Sequence, residues 1–68
     1  MNPEREELLR LMTELSEMYP NMRFGQLVTN VAYWAKGPTA SAAWDAADQE
    51  MIEAARNNLQ RNKGQRFD

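Results

Sequence analysis

Neither cysteine nor histidine occurs in the 68-residue chain. The first absence excludes disulfides, thiolate nucleophiles, iron–sulfur clusters and cysteine zinc sites. The second removes the imidazole that activates a serine nucleophile and the nitrogen ligand favoured by transition metals. Thr13, Ser16 and Ser41 thus carry hydroxyls with no base to activate them, and neither catalysis nor a bound metal or cofactor is expected. Long apolar runs are also missing: none approaches the roughly 20 residues that span a bilayer. The opening Met1-Asn2-Pro3-Glu4 has an acid where an export signal has a positive charge, so a cytoplasmic protein is expected, with no membrane partner. A net charge of −2 supplies no overall positive field for phosphate backbones.

What the chain does have is helical periodicity. Leu8, Leu11, Met12, Leu15, Met18 and Tyr19 recur at steps of three and four, a single apolar stripe on a first helix that Asn2 caps and Pro3 opens. Its acids crowd the N-terminal turns, where the helix dipole favours them. Pro20 ends that helix, and Asn21 is a suitable cap for a second running from about Met22 to Ala35, until Gly37 and Pro38 stop it. "GPTASAA" follows as a stretch of small residues. Asp45 and Asp48 resemble a capping box for a third helix reaching about Arg61. Its stripe of Met51, Ile52, Ala55 and Leu59 is thin, so this helix is expected to be the least firmly docked. The fold expected is all-α, a small three-helix bundle over residues 1–61 with a central second helix, followed by a flexible C-terminal tail over 62–68.

The second helix is unusual because "FGQLVTNVAYWA" lies between Arg23 and Lys36 without one charged side chain. On a wheel of about 100° per residue, Phe24, Leu27, Val28, Val31, Trp34 and Ala35 share a core face. Gly25, Thr29 and Ala32 make an adjoining strip of small residues that suits close approach of another helix. Arg23, Gln26, Asn30 and Tyr33 climb the other flank at steps of three, four and three. Two readings of this ladder stand side by side. Either its amides bond to loops of the chain itself, with Arg23 paired to Asp45 or Asp48, or it faces a partner together with Tyr33 and Trp34, residue types enriched where binding energy concentrates.

"YPNMRFGQLVTNVA" followed by "AWDAADQEMIEAARNNL" resembles a group of small, mostly uncharacterised bacterial and phage proteins. In these a Tyr-Pro-(Asp/Asn)-x-Arg-(Phe/Leu)-Gly-Gln-Leu helix precedes an aromatic and acidic start to the last helix. Arg23, Phe24, Gly25, Gln26, Leu27 and Asn30 match, whereas Ala47 stands where a Glu belongs and leaves Asp48 as the matching acid. The resemblance covers about residues 19 to 59 and carries no activity. It implies a contact from Arg23 to the turn between Trp44 and Asp48.

Other constellations point less far. Acids three apart at Glu4/Glu7, Glu14/Glu17, Asp45/Asp48 and Glu50/Glu53 share helix faces, as acid–base or metal chemistry requires, but each pair sits among solvated charges. Methionines suit core filling, with Met18, Met22 and Leu9 expected to leave a modest apolar patch for a homodimer or a partner helix. Arg56, Arg61, Lys63 and Arg66, near Phe67, make the last third locally basic. A helix-turn-helix is excluded, because the second link is long and the third helix starts with Asp45, Asp48, Glu50 and Glu53. The function expected is a non-enzymatic interaction protein, an adaptor or regulator of a larger assembly, binding an unidentified protein partner through Arg23, Gln26, Asn30, Tyr33 and Trp34. The alternative is a nucleic-acid-associated regulator using Arg56, Arg61, Lys63 and Arg66.

Overall fold

The computed structural model describes residues 1–68 as four helices with no strand: α1 (Pro3–Met18), α2 (Phe24–Lys36), α3 (Ala42–Asp45) and α4 (Asp48–Arg61). No helix is long and apolar enough to cross a membrane. α1 follows its sequence signals closely. Asn2 Oδ1 accepts from the Arg5 backbone N–H at 2.7 Å, and Pro3 occupies the first turn, where its missing donor costs nothing. Leu8, Leu11, Met12, Leu15 and Met18 are all buried.

α2 begins two residues later than its periodicity suggests, and Asn21 does not cap it. A turn closed by the Met22 N–H on the Tyr19 carbonyl (3.1 Å) takes up residues 19–22, and Arg23 becomes the N-cap with no side-chain bond to the helix. At the other end Gly37 has φ +94°, a conformation glycine adopts without strain, and its N–H reaches the Tyr33 carbonyl at 2.7 Å. The small-residue stretch then folds into α3, which seats Ala42 in the core at 1% exposure. One turn built on two alanines has no period to read.

The expected Asp45/Asp48 box is replaced. Asp45 ends α3, Ala47 is the N-cap of α4, and the Glu50 carboxylate accepts from the Ala47 N–H at 2.9 Å. This is half of a capping box, since an alanine side chain accepts nothing in return.

Packing corrects two expectations. α4, and not α2, is the helix shared by the other two long elements: it packs along both α1 and α2, while α1 and α2 touch sparingly. Nor is it thinly docked, for Met51, Ile52, Ala54, Ala55 and Asn58 are all buried. Alanines bury little area each, but they let neighbouring helices come close, which a hydropathy stripe undervalues. Asn58 lies in the interior with its Oδ1 accepting from the Tyr19 hydroxyl at 3.1 Å, which offsets the cost of burying an amide.

Phe24 and Trp34 also depart from their assigned core face, at 60% and 39% exposure. The small-residue strip is only partly a contact: Ala32 is fully buried, whereas a Cβ built on Gly25 meets nothing within 4 Å. Gly25→Ala is therefore expected to leave the fold intact and to raise stability by up to about 0.5–1 kcal/mol through the entropy of the unfolded chain. Chemical denaturation checks this, and a loss of stability would restore the close-contact reading.

Residues 62–68, expected as a loose tail, return to the body. Gly64 turns the chain with φ +80°, the Phe67 N–H donates to the Met18 carbonyl at 2.8 Å, and the Phe67 ring stacks on Tyr19 with centroids 5.0 Å apart. Ion pairs knit the outside. Arg5 makes two bonds to Asp48 (2.7 and 3.2 Å), Glu7 joins Arg10 (2.6 Å) to Arg56 (2.8 Å), and Lys36 meets Glu50 (3.2 Å).

Two carboxyls feel these contacts. The Arg10 and Arg56 guanidiniums hold Glu7 below the ordinary glutamate range, and the Ala47 N–H with Lys36 does the same for Glu50. A depressed folded value means stability that is complete above the unfolded-chain value of about 4.3 and lost as pH falls through the lower folded one. Thermal melts should be nearly flat from about pH 7 to 5 and drop below about pH 4. A melting temperature that rises on acidification would contradict these assignments.

Candidate docking surface

The charge-free helix turns its ladder outward. Leu27, Val31 and Ala32 anchor α2 to the core, and Gln26, Asn30 and Tyr33 lie within about 60° of one another on the side away from it. Arg23 and Trp34 widen that sector to about 100°. Arg23, Gln26, Tyr33 and Trp34 are exposed, and Asn30 is half-buried. All five residues singled out from sequence thus fall in one sector of the helix wheel, four of them exposed.

Almost none of this surface's bonding capacity is used by the chain itself. Arg23 makes no ion pair, because Asp48, its expected partner, is held by Arg5, and Asp45 pairs with nothing. Gln26 and the Tyr33 hydroxyl have no side-chain hydrogen bond. Asn30 Nδ2 donates only to the Met22 thioether sulfur, at 3.4 Å, a weak acceptor. No amide of the ladder bonds to a loop backbone, and the one hydrogen bond from a ladder side chain within the chain is that of Asn30 to the Met22 sulfur. Trp34 sits at the border, its indole lining a recess of about 230 Å³ with Ala35, Glu50, Glu53, Ala54 and Asn57 of the adjoining helices.

Aromatic placement strengthens the pattern. The chain has two each of Trp, Tyr and Phe, and none is among the buried residues; the core is made of Leu, Met, Val, Ile and Ala. Tyr19 and Phe67 cover each other, while Phe24, Tyr33, Trp34 and Trp44 all stand exposed on α2 and α3. Aromatic rings normally dominate core energetics, so their exclusion from this core leaves the largest apolar surfaces facing outward. Trp44, 91% exposed, is a further member of this exposed set that the ladder does not include. Its signal was there: at helical spacing Trp44 has Ala40, Ser41, Ala47 and Asp48, and so no large apolar neighbour.

The other groups of residues behave differently. Of the four C-terminal cations, Arg56 is paired with Glu7 and Arg66 with Asp68 (2.8 Å each), so only Arg61 and Lys63 lack an acid. They do not form one free basic patch. Met18 is buried and Met22 half-buried, which leaves Leu9 alone exposed in the apolar patch anticipated there. Glu7, Asp48 and Glu50 from the three-spaced acid pairs are engaged by cations, and the depressed values of Glu7 and Glu50 are the reverse of what a general acid needs. No group of three or more acidic side chains converges as a metal cage.

Compared with protein families, curated proteins and solved structures, the chain matches none. The likeness noted over residues 19 to 59 therefore lends no role to any side chain, and the site rests on its own geometry.

Proposed function

We propose that the chain is a non-enzymatic interaction protein, an adaptor or regulator of a larger assembly, that binds a protein partner through Arg23, Gln26, Asn30, Tyr33 and Trp34 on the outer face of α2. One observation carries the reading: a face with no charge between its ends displays aromatic rings and amides whose hydrogen-bonding capacity the chain leaves unused but for one weak bond from Asn30 to the Met22 sulfur. Exposed Tyr, Trp and Arg with free hydrogen-bonding groups are what a partially apolar interface uses, and a face with Arg23 as its one cation offers little to a phosphate backbone. The compartment proposed is the cytoplasm, where a cysteine-free chain needs no oxidising environment.

Arg23→Asp separates folding from binding. Arg23 holds the N-cap position with extended backbone (φ −66°, ψ 146°) and no capping bond, a geometry in which an aspartate accepts from the free N–H groups of the first turn. The variant should be more stable by about 1 kcal/mol, and yet bind its partner less tightly, because one cation of the face has become an anion. Denaturation and immobilised-chain capture at low and high salt check both halves. Salt-insensitive capture of a protein, weakened by the substitution, supports the reading. Capture of nucleic acid with a log–log salt slope near −3 or −4 would replace it.

A further inference from the structure

A groove at the other end of the molecule has the chemistry to receive this chain's own most exposed side chain. It runs between α1 and the C-terminal half of α4 with a volume of about 470 Å³. Leu11, Met18 and Leu59 form its apolar floor, and Arg10, Arg56 and Lys63 stand on its rim with one acid, Glu14. Arg10 and Arg56 already share Glu7, whereas Lys63 has no ion-pair partner. On α3, Trp44 projects with 91% of its surface in solvent, and the next residue, Asp45, has no hydrogen-bond or ion-pair partner for its side chain.

We infer that two copies of the chain pair by seating Trp44 of each in the α1–α4 groove of the other, with Asp45 meeting Lys63 across the contact. An acidic aromatic knob and a cation-rimmed apolar groove are complementary in both shape class and charge, and both belong to one chain. Intramolecular closure is ruled out by distance: Trp44 precedes the start of α4 and Lys63 follows its end, so about 20 Å of helix separates them. Reciprocal seating, with the two copies antiparallel along α4, gives a closed twofold contact rather than an open chain of molecules. The outer face of α2 takes no part, so this pairing stands apart from the partner reading above.

The size of the contact sets its strength. Two indoles bury about 150–250 Å² each, well short of the roughly 1,200 Å² of a standard stable interface, so dissociation falls in the range of about 10 μM to 1 mM. Sedimentation equilibrium over that range tests the pairing on the full chain. The unmodified protein should shift from monomer to dimer with rising concentration. Trp44→Ala, which removes an exposed side chain and so spares the fold, should weaken pairing at least about tenfold. Lys63→Glu should weaken it, and the exchange Asp45→Lys with Lys63→Glu should recover it. A protein that stays monomeric at about 1 mM, or a Trp44→Ala chain that pairs as well as the parent, overturns the inference. So does an exchange that recovers nothing, or a ladder of trimers and larger species.

Discussion

Leu15→Ala should remove a large share of the protein's folding stability, the largest loss expected of any single truncation. Leu15 is fully buried and, with Leu27 and Val31, is one of the largest such side chains in the molecule. Removing three carbons from a closed site costs about 2–5 kcal/mol, the lost transfer energy plus the cavity left behind. A chain of this length is stable by only about 3–10 kcal/mol in all. No aromatic ring is among the fully buried residues, and Tyr19, which packs against the core, is held by its bond to Asn58 and its stack on Phe67, so collapse around the cavity is limited and a cost in the upper half of the range is expected. Urea titration followed by circular dichroism reads the result directly. A loss under about 1 kcal/mol would mean that α1 is not held to α4 through this residue.

Tyr33→Ala should do the opposite, leaving folding nearly untouched while weakening the partner by about 2 kcal/mol or more, roughly 30-fold in affinity. Tyr33 is exposed on the outer sector of α2, its hydroxyl is free of side-chain hydrogen bonds, and the neighbouring Gln26 is also unbonded. Truncating it removes one of the two aromatic anchors of the face. The loss of folding stability should stay near about 1 kcal/mol, the level of an ordinary surface substitution with some packing. Calorimetric titration of the captured partner against both chains gives the affinity difference. Equal affinities would place the interface elsewhere.

The contrast between these two residues also marks how far sequence alone reaches. α1 was legible because each of its buried residues is a large aliphatic or Met side chain at three- and four-residue spacing, with a cap and a proline fixing its start. The outer sector of α2 was legible because absence of charge is a property of the string itself. Phe24 and Gly25 were not, since a wheel gives an angle but not what stands opposite it; both lie in the first turn, where Phe24 is exposed and a Cβ on Gly25 would meet nothing. The weight carried by α4 was hidden for a different reason. Its burial depends on Ala54, Ala55 and the polar Asn58, whose interior place is settled by a hydroxyl on Tyr19, 39 residues away in the chain. The docking of Phe67 on Tyr19 is long-range in the same sense. Exposure of Trp44 depends on α3, a helix too short to announce itself.

Hydroxyl-radical footprinting of the free protein, read residue by residue in a mass spectrometer, tests most directly whether the face of α2 stands open. If it does, Trp44 and Phe24 label at rates approaching those of the unfolded chain, and Tyr33 and Trp34, each a little under two-fifths exposed, at intermediate rates, while Met12, Leu15 and Met51 are strongly protected. Tyr33 and Trp34 protected to the same degree as Leu15 would show that the chain covers this face itself, and the docking surface would be gone.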